Sequence, residues 1–221
     1  EDLNSFQHKY GWENAVYAGD NWKITDRLEI GAGLRVSSSS VLGGSDFFKY
    51  DTEGNVVDTI RTKKGEFVKT YFNFEPRLSA AFLLNDVSSV KASFARTVQN
   101  MHLLKVSFGY FRNFANNNFE FSAEVYYKNL ENQMDYTDGT ADIYQTENIE
   151  PYLLVGKGRA YGLELFLKKK YGRFNGWIGY TLSKSERKIG GINNNTWYVA
   201  NQDRTHDLSI VGMYDLSKKW S

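Results

Sequence analysis

Along most of this chain apolar and polar side chains alternate with a period of two. That is the periodicity of a β-strand, because successive side chains leave a strand on opposite faces. The clearest case runs from Arg159 to Arg187, RAYGLELFLKKKYGRFNGWIGYTLSKSER. Tyr161, Leu163, Leu165 and Leu167 share one face, against Ala160, Gly162, Glu164, Phe166 and Lys168. After a turn at Gly172–Arg173, Phe174, Gly176, Ile178, Tyr180 and Leu182 line one side, against Asn175, Trp177, Gly179, Thr181 and Ser183. The pattern predicts a hairpin with arms of about 12 residues. Strands of soluble sheets run about 5–6 residues, and a tilted membrane-crossing strand needs about 9–11.

The same alternation recurs along the chain. Residues 1–12 read as the tail of a loop, and a strand follows from Glu13 through Trp22. Leu28, Ile30, Ala32, Leu34 and Val36 alternate with Glu29, Gly31, Gly33 and Arg35. Tyr50 to Arg61 reads as a small hairpin turned at Glu53-Gly54-Asn55. Further strands are predicted from about Val68 to Leu83, around Val90, Ala92 and Phe94, over 106–115 and 119–131, and over 205–216. These make about nine long antiparallel strands, a meander of hairpins, and an all-β chain.

The connections sort by length. Those at 25–27, 85–86, 115–118, 172–173 and 217–219 are short; those at 38–66, 132–157 and 188–203 are long and polar. Strict alternation places every short turn at one end of the sheet, as in outer-membrane barrels with short periplasmic turns and long outer loops. Trp22, Phe82, Phe114, Phe119, Tyr171, Phe174, Tyr214 and Trp220 cluster beside the short turns, as an interfacial girdle would. One connection breaks the rule: a long loop is due between Arg96 and Val106 and only nine residues stand there, so either the loop is naturally tight or, the favoured reading, a segment is missing near Leu104–Lys105. Bacterial single-chain barrels have even strand numbers, so nine strands cannot close one alone. No signal peptide opens the sequence, so either one was processed away or, the favoured expectation, the 221 residues are an internal piece of a longer chain.

Composition narrows the classes. The 27 basic and 26 acidic side chains nearly cancel, so no nucleic-acid partner is indicated. No Cys is present, which removes disulfides and thiolate metal sites. No apolar run is long enough for a membrane helix, and a mean hydropathy of −0.52 suits strands whose alternate residues face a polar lumen.

Candidate chemistry is sparse. His8, His102 and His206 are far apart, without ligand spacing, so no metal site is expected. His206-Asp207 has the residue types of an acid–base pair, but neighbours on a strand point to opposite faces. The Asp-rich stretch Asp135–Asp142 lacks the spacing of a calcium loop and reads as a polar turn; Gly156-Lys157-Gly158 lacks the strand-to-helix context of a phosphate loop. Asn194-Asn195-Thr196 fits a glycosylation acceptor and means little in a bacterial chain. Glu124, Glu164 and Lys168 fall on the non-apolar faces and are expected on a lumen wall. No catalytic residue, no cofactor and no enzyme activity is expected, and ligand-binding residues are not assigned.

The stretches YAGDNWKITDRLEIGAGLRVS, FEPRLSAAFLLNDVSSVKASFARTVQN, VSFGYFRNF, FEFSAEVYYKNLENQMDY, the 156–187 hairpin and DRTHDLSIVGMYDLSKKW resemble successive barrel hairpins of TonB-dependent outer-membrane receptors of the Bacteroidetes type. The resemblance covers most of residues 12–221. It implies a transmembrane β-barrel of 22 strands with a plugged lumen, of which residues 1–221 form a partial domain without the plug domain or the closing strands. It also implies residence in the bacterial outer membrane, contact with membrane lipid, and partnership with TonB and a plug domain. The function implied is energised import of a scarce ligand: a siderophore or other iron chelate, a vitamin, a glycan or a peptide. A smaller barrel, natural or engineered, acting as a passive pore or scaffold is the alternative.

Overall fold

The computed structural model describes residues 10–51, 56–98, 102–136 and 153–216. The long strands are β1 (Tyr10–Lys23), β2 (Leu28–Leu42), β5 (Phe67–Asn85), β6 (Ser88–Val98), β7 (His102–Phe114), β8 (Phe119–Tyr136), β9 (Leu153–Lys169), β10 (Phe174–Ile189) and β12 (His206–Tyr214). They pair antiparallel in chain order, with the two-residue β11 (Tyr198–Val199) added beside β10, making a ten-stranded sheet. A separate hairpin of β3 (Phe47–Tyr50) and β4 (Val56–Ile60) stands in the β2–β5 connection. Its expected turn at 53–55 lies outside the described residues.

Cross-strand register carries the apolar pattern from strand to strand, because directly opposed residues of an antiparallel pair share a face. Leu182 lies opposite Leu163, Leu163 opposite Val125, and Val125 opposite Phe108. The row continues through Ala92, Ala80 and Ile30 to Trp22. Parallel rows hold Tyr180, Leu165, Ala123, Tyr110, Val90 and Phe82. This face is uncovered: Phe72 is 71% exposed, Phe108 52% and Ile210 65%. Among the described residues only Val98, Ile189, Ile192 and Ala200 are buried apolar side chains. A sheet that buries so little and presents a continuous apolar face has lipid, not a second layer, as its solvent.

The register also sets the inclination of the strands. Traced across seven strand steps, Trp22 falls in the row of Leu182, eight positions from Phe174. Trp22 and Phe174 both border short turns. Bringing them to one level staggers the strands by about one residue each, an inclination of roughly 40° from a 3.3 Å rise and 4.8 Å spacing. The outward run Phe72–Phe82 then spans about 26 Å along the membrane normal, close to the apolar band of about 25 Å in outer-membrane barrels. Asp20, opposite Ala32, is one acidic side chain on this face, and it lies on the edge strand β1.

Local chemistry explains the turns and irregularities. Ala115, Asn116 and Asn117 have φ of 52°, 53° and 66°, a left-handed turn that Asn tolerates better than most residues. Gly172 turns β9 into β10 at φ 104°. The β5–β6 ladder starts at Arg77, beside Pro76, which has no N–H to donate. Gly176 has φ 152°, and a Cβ there would overlap the Val211 carbonyl oxygen and stand 3.0 Å from Gly212 Cα. Gly176→Ala is expected to destabilise the sheet by about 1–3 kcal/mol. A denaturant titration of the intact protein in detergent checks this; an unchanged midpoint would contradict the close β10–β12 approach.

The strands run further at the long-loop end than the alternation indicates. β1 starts at Tyr10 rather than Glu13, β2 continues to Leu42, β8 reaches Tyr136 and β9 begins at Leu153. Ser37–Ser40 and Gly156–Gly158 lie in strands whose two faces no longer differ in polarity, so the pattern fades before the ladder does. Leu104 and Lys105 pair with Arg96 and Ala95 in a ladder without register shift.

Candidate ligand-binding mouth and inner wall

The inner face is polar. Glu124 and Glu164 lie directly opposite each other, and Lys105 Nζ stands 3.7 Å from Glu124 Oε1. Lys168 lies opposite Glu120 and Trp177. Higher on the wall, buried Glu75 accepts a 3.0 Å hydrogen bond from Ser37 Oγ and lies 3.6 Å from Arg35 Nε. Glu124, Glu164 and Lys168 thus share the face opposite the apolar band.

At the end opposite the short turns the wall becomes a mouth. Residues 190–205 fold back along β10 instead of forming an unstructured polar loop. Asn193, Asn194 and Asn195 take left-handed φ values of 47°, 52° and 59°. The turn closes with Gly191 N donating to Asn195 Oδ1 at 2.8 Å and Asn195 N to Ile192 O at 3.0 Å. β11 and the bond from Ala200 N to Ser185 O (2.9 Å) then tie the segment to β10 over Ile189, which is fully buried. What the sequence shows as an Asn-rich run is the one residue type besides Gly that makes such a turn cheaply.

This segment assembles an inward cluster. Arg187 Nη1 donates to Asp135 Oδ2 at 3.1 Å and to Met134 O at 3.3 Å, and Nη2 donates to Gln202 Oε1 at 3.3 Å. Tyr198 Oη donates to the same Asp135 oxygen at 3.0 Å. Arg187 Nε is buried and without a hydrogen-bond partner. Asp203 accepts from Ser185 N at 2.5 Å. A cleft beside them is lined by Tyr126, Ser183, Gln202, Asp203 and Asp207. The cluster can hold a polar ligand by hydrogen bonds and charge; a nucleophile paired with a base does not occur in it. Asp135 and Arg187 are 52 positions apart and Tyr198 lies 63 beyond Asp135, so no local motif announces them. Asp135 is the penultimate residue of β8, and residues 137–142 of the Asp-rich stretch lie outside the described residues.

The histidines go elsewhere. His206 Nδ1 and Tyr180 Oη are 2.8 Å apart on the outward face, while Asp207 lies opposite Thr181 on the inner one. His102 Nδ1 is 3.6 Å from Glu131 Oε2. His8 is outside the described residues, and among those described no group of His, Cys, Asp and Glu could hold a metal.

Arg159, on the outward face, donates from Nε to Glu186 Oε2 at 2.7 Å, and Lys184 Nζ is 2.9 Å from Glu186 Oε1. These residues lie beyond the apolar band. Hydrogen bonds from Lys184 first and Arg159 second hold the Glu186 carboxyl below its ordinary value of 4.5. Because the folded value is depressed, this contribution to stability is present above that value and is lost as pH falls through the lower folded one. Melting curves between neutral and acid pH should show the loss in the intact protein and not in Glu186→Gln.

Residues 2–170 match the family described as outer membrane beta barrel domain. No curated protein matches the chain. Solved structures share the fold. The ferripyoverdine receptor of the outer membrane of Pseudomonas aeruginosa is 18% identical with a TM-score of 0.62, over 95% of this chain and 26% of that one. The ferric-catecholate import receptor Fiu from E. coli K12 is 14% identical with a TM-score of 0.62, over 95% and 33%. The FrpB iron transporter from Neisseria meningitidis is 12% identical with a TM-score of 0.58, over 85% and 27%. The chain thus spans about a quarter to a third of these receptors' lengths. With three quarters of its length matched by a family of membrane barrels, and with the apolar band and stagger such barrels require, this chain belongs to the outer membrane β-barrel domain family and resides in the outer membrane.

Proposed function

We propose that this chain is part of the barrel of a TonB-dependent receptor of the Bacteroidetes type, importing a scarce ligand by energised, gated passage. The observation that carries the reading is the two-sided sheet: an outward apolar band against an inner wall of Glu124, Glu164, Lys105 and Lys168 that opens into the Asp135–Arg187–Tyr198 mouth. The solved structures of the same fold support it, being by name a ferripyoverdine receptor, a ferric-catecholate import receptor and an iron transporter. So do the open edges: β1 pairs only with β2 and β12 only with β10 among the described residues. An edge left unpaired in lipid costs several kcal/mol per group, so further strands are expected to flank both, with a plug inside. Siderophores, vitamins, glycans and peptides are the ligand classes to try, and the mouth is where the choice is made.

The intact protein in a planar bilayer is expected to be closed to ions, and uptake of radiolabelled ferric siderophore, cobalamin, oligosaccharide or peptide probes is expected to stop in cells without TonB. A steady open conductance, with uptake independent of TonB, would instead identify a passive pore.

A further inference from the structure

The chain that returns along β10 is broken between β11 and β12, and the break reverses its phase. Glu186 lies opposite Val199 and Leu182 opposite His206, so four steps along β10 face seven along the returning chain. Three residues are therefore in excess between Ala200, bonded to Ser185, and Thr205, bonded to Ser183. An odd insertion exchanges the two faces of a strand. Tyr198 stands opposite Arg187 on the inner face, whereas His206, eight positions on, stands opposite Leu182 on the outward one. Continuing the β12 register straight along β10 would set Gln202 opposite Glu186 and Asn201 opposite Arg187. It would also carry Tyr198 past Ile189 and onto the outward face.

Asp203 holds the break. In an uninterrupted ladder Ser185 N would donate to the carbonyl of its partner on the next strand. Here Ala200 N donates to Ser185 O at 2.9 Å, but the Ala200 carbonyl accepts from Asp203 N at 2.8 Å in a turn. Ser185 N donates instead to Asp203 Oδ1 at 2.5 Å, so a side-chain carboxylate stands in the ladder where a peptide oxygen belongs. Asp203 Oδ2 accepts from Thr205 Oγ1 at 3.1 Å, and Ser183 Oγ donates to Arg204 O at 3.0 Å beyond it. The same break brings Gln202 Oε1 within 3.3 Å of Arg187 Nη2. Resting on the reading of the mouth as the place of ligand choice, we propose that Asp203 is its positioning residue. The carboxylate holds β11 in the register that turns Tyr198 onto Asp135 and Gln202 onto Arg187.

Two cysteine pairs distinguish the registers in the intact protein, this chain having no Cys of its own. Because Ala200 bonds Ser185, Glu186 and Val199 form the neighbouring non-hydrogen-bonded pair, where opposed side chains come closest and within reach of a disulfide. In the straight register Glu186 and Gln202 would form such a pair. Glu186→Cys/Val199→Cys is expected to cross-link under mild oxidation, and Glu186→Cys/Gln202→Cys is not. Adding Asp203→Ala should shift the ratio of the two cross-links at least about tenfold toward the second, since a charge-assisted bond is lost. Asp203→Asn, whose amide oxygen still accepts from Ser185 N, should keep the original ratio. Heat-modifiable gel mobility reports that each variant remains a folded barrel. An unchanged ratio in Asp203→Ala, or an Asn variant shifted as far as the Ala variant, would overturn the proposal. Cross-linking is read without ligand, so it stands apart from transport. A shifted ratio with unchanged uptake of the ferric siderophore, cobalamin, oligosaccharide and peptide probes would instead overturn the mouth's role in ligand choice.

Discussion

Ile178→Arg is expected to cost the intact barrel about 2–4 kcal/mol, while Thr181→Arg three residues along the same strand is expected to cost less than about 1. Ile178 lies at the centre of the outward run Phe174–Leu182, opposite the apolar Leu167 and Ile210. Thr181 points the other way, between Glu164 and Asp207, so an arginine at that position meets two carboxylates. Hydropathy alone does not separate these outcomes; the phase of the strand does. Guanidinium titrations of the protein refolded into lipid vesicles measure both, and equal costs would remove the distinction between the lipid face and the lumen face.

Arg187→Ala is expected to release the 190–205 segment without melting the sheet. The guanidinium holds Asp135, Met134 O and Gln202 together, and its loss removes all three of those bonds while the Tyr198–Asp135 bond stays. Charge-assisted bonds of this kind contribute about 1.5–3 kcal/mol. Amide exchange within 190–205 should therefore accelerate roughly 30-fold, with that of the β9–β10 ladder near Leu165 and Tyr180 unchanged. Capture of whichever ligand the intact protein takes should weaken in the same variant. Exchange that stays slow in 190–205 would show that β11 and buried Ile189 hold the segment by themselves.

The membrane-spanning parts of the fold are legible because lipid on one side and a polar lumen on the other force opposite chemistry onto alternate residues. Leu163 against Glu164 and Ile178 against Gly179 are enough to set the phase of their strands. Where strands leave the bilayer the two faces meet similar solvent, and Ser37–Ser40 or Gly156–Gly158 carry no alternation to read. The strand ends were lost for that reason. The mouth was lost for another: Asp135, Arg187 and Tyr198 come from three separate elements and meet only through a turn that an Asn run makes by adopting left-handed conformations.

A sheet with lipid on one face and an aqueous lumen on the other exposes alternate residues to different collision partners. The chain contains no Cys, which suits single-cysteine spin labels placed from Phe174 to Leu182 in the intact protein in liposomes. Collision with oxygen is expected at positions 174, 178, 180 and 182, and with a water-soluble nickel chelate at 175, 177, 179 and 181, with Gly176 left unlabelled because a Cβ there overlaps the Val211 carbonyl oxygen. Accessibility without a period of two, or with the opposite phase, would contradict this two-sided arrangement.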